Sequence, residues 1–272
     1  MDKFSCVIAC YNGGPYLGEC LRSVMAQDYR PIEAVIVDDC STDNSMEVLK
    51  SMMPELSAAG VEVNLVSHTE QLGYGSSMKD GAMASTGDYI GILDADDALE
   101  PGVISHIMGL YAADKKLLYI YSQFMICDKN LKPVKIGWCR FPKRGESILA
   151  CGMKGEHIFS HFKTFRRYGK MEQIFFVGCK TGCDQWMGLK LEERGRGLFT
   201  NFVGYRYREN APGSLSLIHG TSRRAYWKKM VDRFVRNRRS RSFKKETRTF
   251  SIGFNDHTGR KIEVRVRKKK RS

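Results

Sequence analysis

IEAVIVDD, residues 32–39, is an apolar, β-branched run that ends abruptly in two acids. Three similar runs surround it in the first hundred residues: SCVIACY (5–11), VEVNLVSH (61–68) and YIGILDADD (89–97). Strands that are apolar along most of their length, rather than alternating, are buried on both faces. The four runs are therefore typical of parallel strands that helices cover on either side.

In chain order, each of the first three runs (5–11, 32–39 and 61–68) is followed by apolar residues at a spacing of three to four, which predicts a helix. These positions are Tyr16, Leu17, Cys20, Leu21, Val24 and Met25, then Val48, Leu49, Met52, Met53 and Leu56, then Met78, Ala82 and Met83. Strands that alternate with helices predict an α/β fold, a Rossmann-like and mostly parallel sheet with helices on both faces.

Acids and amides stand where the predicted strands stop. Asn12 follows the first run, Asp38 and Asp39 close the second, and DADD (94–97) closes the fourth. In such sheets a ligand binds beyond the carboxyl ends of the strands. Carboxylates crowded together repel each other unless a cation or hydrogen-bond donors lie between them.

The D-x-D pair, Asp94 and Asp96, is the central signal at this edge. In an extended segment residues i and i+2 point the same way, so we expect both carboxylates to serve one ligand. A hard divalent cation takes one or two carboxylates together with phosphate oxygens. Such a cation suits a reaction in which a diphosphate leaves, although a surface turn explains an isolated D-x-D equally well.

Several ordered motifs give the chain a resemblance to family-2 glycosyltransferases with the GT-A fold. They are VIACYNGGPYL (7–17), LRSVMAQDY (21–29), VIVDDCSTDNS (35–45), GDYIGILDADD (87–97) and Asp184 with its helix. The resemblance implies inverting, metal-dependent transfer of a sugar from a nucleotide-sugar, with a UDP-sugar as the expected donor, to an acceptor hydroxyl.

The resemblance also assigns residues. It implies nucleotide-sugar contacts at seven positions: Ala9, Tyr11, Asn12, Asp39, Lys79, Asp94 and Ala95. Tyr11 would flank the base, Asp39 would accept a hydrogen bond from the base edge, and Asp94 would bind the ribose. Asp96 would ligate Mn²⁺ or Mg²⁺, which is the expected cofactor.

Asp184 is the expected general base. An acceptor hydroxyl is a poor nucleophile until a carboxylate takes its proton. The alternative for Asp184 is a structural acid in the first turn of a helix, where the helix dipole favours it. We expect His161, Trp186 and Arg208 to contact the acceptor. The alternative for His161 and Trp186 is a structural role in the core.

The chain departs from the family pattern at several places. Cys40 stands where Gly is usual. Lys79 stands in a segment that normally reads Ala-Arg-Asn. The late Tyr-Arg-x-His pattern reads Tyr207-Arg208-Glu209-Asn210, without the His.

The net charge of +14 is concentrated at the C-terminus. Residues 219–272 hold 20 basic and 4 acidic side chains, whereas residues 1–218 sum to −2. We therefore predict a glycosyltransferase domain over 1–218, with a nucleotide-sugar half (1–110) and an acceptor half (111–218). Within 219–272, the spacing predicts a basic amphipathic helix near 226–235 and a basic β-hairpin after it.

The basic segment suggests a polyanionic partner, either an anionic membrane surface or DNA. A cell-surface or lipid-linked glycan is the leading acceptor, and DNA with hydroxymethylated bases is the alternative. A further alternative for the protein is a non-catalytic role in binding nucleic acid or a nucleotide-sugar. The alternative for the basic segment is a tail that only confers solubility. Nine cysteines without a CxxC pair, and no apolar run of membrane-spanning length, favour a cytoplasmic protein that is at most peripheral to a membrane.

Overall fold

The structure is a computed structural model that describes residues 1–143, 146–148, 151, 156, 158–175, 177, 183–212, 247–255 and 261–269. Its centre is a run of parallel strands in the spatial order β3-β2-β1-β4. Their bounds are β1 (Phe4–Cys10), β2 (Ile32–Asp38), β3 (Val61–Ser67) and β4 (Tyr89–Asp94). Val7 lies opposite Val35 on one side and Ile92 on the other, so the predicted parallel sheet is confirmed.

Helices connect and cover these strands. They are α1 (Gly14–Met25), α2 (Ser45–Ala58), α3 (Tyr74–Ala84) and α4 (Val103–Ala113). Pro15 lies in the first turn of α1, where its missing N–H costs nothing. Leu17, Leu21 and Val24 are buried as their spacing predicts.

Helix α3 packs directly on β1 and β2 through Gly81. A Cβ at this position would lie 2.5 Å from Val7 Cγ1 and 2.8 Å from Val37 Cγ2. Both distances are shorter than real carbon–carbon contacts, so only glycine allows the helix this close to the sheet. This packing brings the N-terminal end of α3 near the carboxyl ends of the strands.

The same sheet continues through the second half of the described chain in the order β4-β8-β6-β9-β5. These strands are β5 (Ala98–Leu99), β6 (Leu117–Cys127), β8 (Lys163–Arg166) and β9 (Arg196–Arg208), and β7 (Pro133–Ile136) pairs beside β6. Strand β8 is antiparallel to both of its neighbours, whereas β6 and β9 are parallel. A short 3-10 helix (Met171–Ile174) and α5 (Cys183–Arg194) follow β8.

The predicted C-terminal hairpin has paired strands, β10 (Thr247–Asn255) and β11 (Lys261–Lys269). They are antiparallel, and their register sets Ile252 opposite Val264. The predicted basic helix near 226–235 lies outside the described residues. Among the helices of the described part, none has the length and apolar character to cross a membrane. The eight cysteines that the structure describes are free thiols, and all but Cys40 are buried.

Candidate active site

The segment DADD at the carboxyl end of β4 forms a tight turn. β4 ends at Asp94, and the Asp97 amide donates a hydrogen bond to the Asp94 carbonyl at 3.1 Å. The expectation that this segment is extended is therefore wrong, because this backbone hydrogen bond closes a turn. The carboxylates still interact, since burial and then the charge of Asp94 raise the pKa of Asp96 to about 6.

Strand β9 holds the turn in place. The Tyr205 hydroxyl donates to Asp97 Oδ2 at 2.8 Å and accepts from the Asp94 amide at 3.1 Å. The Arg208 amide donates to Asp97 Oδ1 at 2.7 Å. Asp97 is buried, and burial with the nearby charges of Asp96 and Asp94 raises its pKa well above the ordinary range. Asp97 therefore anchors the turn to β9.

The Arg208 side chain has the same role. It is 2% exposed, and its guanidinium donates to the Asp96 carbonyl at 2.7 Å and to Glu19 at 2.5 Å. It also donates to the Lys129 carbonyl and lies 4.7 Å from the centre of the Tyr16 ring. Through its bond to the Asp96 carbonyl, the Arg208 side chain fixes the turn. The acceptor role of Arg208 stays a prediction.

Asp39 organises the loop that leads from β3 into α3. Its Oδ1 accepts from the Leu72 amide at 2.8 Å and lies 2.7 Å from His68 Nδ1, and its Oδ2 accepts from the Gly73 amide at 2.8 Å. Each carboxylate oxygen has two acceptor positions. Asp39 is 3% exposed, and its Oδ2 has one donor among the described contacts. The expected hydrogen bond from a base to Asp39 stays a prediction.

Asn12 and Tyr11 lie just beyond β1. The Asn12 amide donates to Ser41 Oγ at 3.0 Å, and its side-chain oxygen accepts from the Thr42 amide at 2.8 Å. These bonds fasten the end of β1 to the loop after β2. Tyr11 is 46% exposed, and its stacking on a base stays a prediction.

Three further positions predicted for the nucleotide lie at the same edge. Ala9 is opposite Asp94 in the pairing of β1 with β4, and Ala95 is buried within the turn. Lys79 lies on α3, where its Nζ is 3.2 Å from Asp80 Oδ1 and its side chain is one-third exposed. The roles of these residues toward a nucleotide stay predictions.

Tyr74 joins the α3 loop to the acidic turn. It is the first residue of α3, directly after Gly73, and its hydroxyl donates to Asp94 Oδ1 at 2.5 Å. Burial, followed by the charges of Asp94 and Asp184, raises the pKa of Tyr74 well above its usual value. The loop that Asp39 organises is therefore bonded to the turn that carries the D-x-D pair.

Asp184 lies in the first turn of α5 and contacts a buried lysine of β8. Lys163 is 1% exposed, and its Nζ is 2.8 Å from Asp184 Oδ1. Burial lowers the pKa of Lys163, but the charges of Asp184 and Asp94 together outweigh burial and raise it above its usual value. The lysine is thus a cation that interacts with acids from two distant parts of the sequence.

His161 and Trp186 occupy different environments. His161 is buried, with its ring centre 4.5 Å from that of Tyr205 and 5.1 Å from that of Tyr207. Burial and then the charge of Lys163 lower the pKa of His161 well below its usual value, so the ring is neutral. Trp186 is half-buried on α5, and Lys190 Nζ lies 4.6 Å from its ring centre. Acceptor contacts by these two residues stay predictions.

The charges at the turn fit a divalent cation. The charge of Asp94 disfavours ionisation of Asp96, and a nearby cation would offset this effect. Within the described residues, Asp94, Asp97 and His161 also have ligand atoms that lie within 4.8 Å of one another. Both Asp97 oxygens already accept hydrogen bonds, so Asp97 is less suited than Asp96 to hold a cation.

Sequence reasoning missed Lys163, Tyr74 and Tyr205. A lysine inside the apolar run HFKTF (161–165) is a usable signal, because a buried lysine needs a charged partner. Tyr74 lies in Gly73-Tyr74-Gly75, a segment without a dinucleotide fingerprint, and no local pattern marks it. Tyr205 bonds to the turn through its hydroxyl. The sequence does not show this contact, because it depends on how β9 pairs in the sheet.

A parallel sheet with acids at its carboxyl edge, continued by an antiparallel strand and a helix that supplies a further acid, defines a GT-A-type α/β domain. The family model for glycosyl transferase family 2 matches residues 5–175, more than half of the chain. The chain therefore belongs to glycosyl transferase family 2.

Chondroitin synthase of Escherichia coli is 28% identical over 202 residues, which are 74% of this chain and 28% of that protein. The uncharacterized glycosyltransferase alr2836 of Nostoc is 32% identical over 148 residues, which are 54% of this chain and 44% of that protein. The chain thus spans less than half the length of these curated relatives.

The fold also matches solved structures. Staphylococcus aureus TarS 1-349, in complex with UDP-GlcNAc, has a TM-score of 0.64 at 18% identity and covers 88% of this chain and 73% of that chain. The mannosyltransferase PcManGT of Pyrobaculum calidifontis, in complex with GDP-Man and Mn²⁺, has a TM-score of 0.53 at 20% identity, over 74% of this chain and 55% of that one. The expected GT-A-like fold is confirmed.

Proposed function

We propose that this chain transfers a sugar from a nucleotide-sugar to an acceptor hydroxyl with inversion, assisted by a divalent cation. One observation carries the proposal: Asp184 of α5 and Asp94 of β4 lie close enough that both act on Lys163, with Asp184 Oδ1 2.8 Å from its Nζ. This proximity supports a single site in which Asp184 would serve the attacking hydroxyl and the acids of the β4 turn would serve the departing nucleotide.

On the leaving side, Asp96 would hold Mg²⁺ or Mn²⁺, the hard cations that carboxylate oxygens suit, and Asp94 would bind the ribose. When bound, the cation neutralises the charge that develops on the leaving diphosphate. The exposure of Tyr11 supports a base contact. Asp39 would accept a hydrogen bond from the base edge at Oδ2, which has one donor among the described contacts.

On the attacking side, Asp184 would take the proton of the acceptor hydroxyl. General base catalysis of this kind contributes about 10²–10⁴-fold. The hydroxyl oxygen then bonds to the anomeric carbon as the bond to the diphosphate breaks, so the configuration inverts in one displacement.

UDP-sugars are the first donors to test, because TarS was solved with UDP-GlcNAc. A glycan is the acceptor that we favour, since chondroitin synthase is among the relatives. The net charge of +16 over residues 219–272 keeps DNA with hydroxymethylated bases as a second acceptor, and an anionic membrane as a second partner.

The test is a nucleotide-release screen of the whole chain with Mn²⁺ and UDP-, GDP- and dTDP-sugars. Each donor is offered with oligosaccharides, or with duplex DNA containing hydroxymethyl pyrimidines. We expect one donor to yield a glycosylated product by mass spectrometry. With that donor, Asp184→Asn should lower kcat about 10²–10⁴-fold while the donor KM stays within about threefold.

Glu55→Gln on the exposed side of α2 is the matched control, because it makes the same change of carboxylate to amide away from the site. Full transfer by Asp184→Asn would remove the general-base role. Binding of a nucleotide-sugar by the wild-type chain without turnover of any donor would instead favour a non-catalytic binding protein.

A further inference from the structure

Lys163 is a buried charge that the proposed reaction does not yet use. It begins β8, where it lies opposite Ile92 of β4 and Tyr121 of β6 in the register, and it is 1% exposed. Burying an ammonium group among such neighbours is costly unless charged partners compensate it. Its position therefore needs an explanation from the groups around it.

The compensating groups are the acids of the site. Lys163 Nζ lies 2.8 Å from Asp184 Oδ1, and the charge of Asp94 adds a second favourable interaction. Asp184 is 36% exposed, whereas Lys163 is enclosed. The lysine thus contacts the base candidate from the protein side and leaves the solvent side of that carboxylate accessible.

We infer that Lys163 is the positioning residue of the general base: its ammonium group holds Asp184 by Oδ1 and leaves Oδ2 to receive the proton of the acceptor hydroxyl. This inference rests on the proposed function. The proton moves from the hydroxyl to Oδ2, the oxygen bonds to the anomeric carbon, and the electron pair of the broken bond leaves with the diphosphate. Lys163 stays protonated throughout.

Direct contact of Lys163 with the donor is the competing role. An enclosed ammonium group that already pairs with Asp184 is poorly placed for a diphosphate, which binds from the open edge of the sheet. The two roles differ in what they predict, because loss of a donor contact weakens nucleotide binding, whereas loss of a positioning contact lowers kcat alone.

The test uses Lys163→Met, which keeps much of the side-chain length and removes the charge, and Lys163→Arg, which keeps the charge. We expect Lys163→Met to lower kcat at least about 30-fold while the Kd for UDP with Mn²⁺, from calorimetry, stays within about threefold. Lys163→Arg should recover at least a tenth of wild-type kcat. Thr164→Val, which alters the next buried residue of β8, is the matched control and should leave kcat unchanged.

A double-mutant comparison decides whether Lys163 acts through Asp184. The change Lys163→Met should cost less than about threefold in kcat when Asp184 is already Asn, because the group that it positions is no longer a base. The double variant also removes both charges of the ion pair, so it can be measured if Lys163→Met alone fails to fold.

Three results would overturn the inference. They are near-normal kcat in Lys163→Met, weaker UDP binding with kcat retained, and a full additional loss in the Asp184→Asn background. An absence of transfer by the wild-type chain with every donor would instead contradict the proposed function, so the two failures are distinguishable.

Discussion

Single residues at the β4 turn carry an electrostatic cost. Asp96 has a pKa of about 6 because burial and Asp94 disfavour its charged form. Cys40, which follows β2, carries a conformational cost instead, because its φ of 65° lies in the left-handed region that favours glycine. At this position the usual glycine of the family has a physical reason, and the cysteine accepts some backbone strain.

At the residue scale we predict a stability gain for Asp96→Asn. The folded pKa of Asp96 lies above its unfolded value, so the folded state binds the proton more tightly, and ionisation destabilises the fold as the pH rises from about 4 to about 6. In EDTA at pH 7.5, Asp96→Asn should raise the free energy of unfolding by about 1–3 kcal/mol, and this gain should shrink toward pH 5. Urea unfolding at the two pH values measures it.

Asp128→Asn is the control of opposite sign. Hydrogen bonds from the Lys132 and Asn130 amides lower the pKa of Asp128, so its substitution should reduce stability at pH 7.5. A loss of stability in Asp96→Asn at pH 7.5 would contradict the electrostatic account of the turn.

At the scale of the elements, the close approach of α3 to the sheet positions Tyr74 against Asp94. We predict that Gly81→Ala lowers the free energy of unfolding by about 1–3 kcal/mol, because the new methyl group overlaps the side chains of Val7 and Val37. Gly109→Ala on the exposed face of α4, where an added Cβ meets nothing within 4 Å, should instead raise stability by about 0.5–1 kcal/mol.

Chemical denaturation of the two alanine variants measures both changes. Equal gains at the two positions would show that α3 does not pack as tightly as described. Because Tyr74 begins the same helix, Gly81→Ala should also weaken nucleotide binding more than Gly109→Ala does.

At the scale of the whole molecule, one sheet runs through both predicted halves. Strand β8 pairs with β4 on one side and β6 on the other. The Arg206–Glu100 ion pair and the hydrogen bond from Arg167 to the Gly87 carbonyl also link residues before 110 to residues after it. We therefore expect the two halves to unfold together.

The measurement uses two probes of one urea titration. All three tryptophans of the chain lie after residue 110, at 138, 186 and 227, whereas α1–α4 lie in the first 113 residues. Tryptophan fluorescence and far-UV circular dichroism should give the same midpoint. Separate midpoints would show that the halves are independent units.

The strands and helices of the first hundred residues were predictable because apolar periodicity is a local property. The run IEAVIVDD became β2, and the stripe of Leu17, Leu21 and Val24 became the buried face of α1. The acids at the edge were predictable for a related reason, since the carboxyl ends of parallel strands meet at one edge of a sheet.

Tertiary structure alone decided which groups meet these acids. The antiparallel insertion of β8 brings Lys163 to Asp184, and the pairing of β9 with β5 and β6 brings Tyr205 to Asp97. The turn at Asp94–Asp97 is likewise bonded to Tyr205 and Arg208 of β9. Such partners come from distant positions in the chain, and their contact depends on strand order and register, which no local pattern of residues encodes.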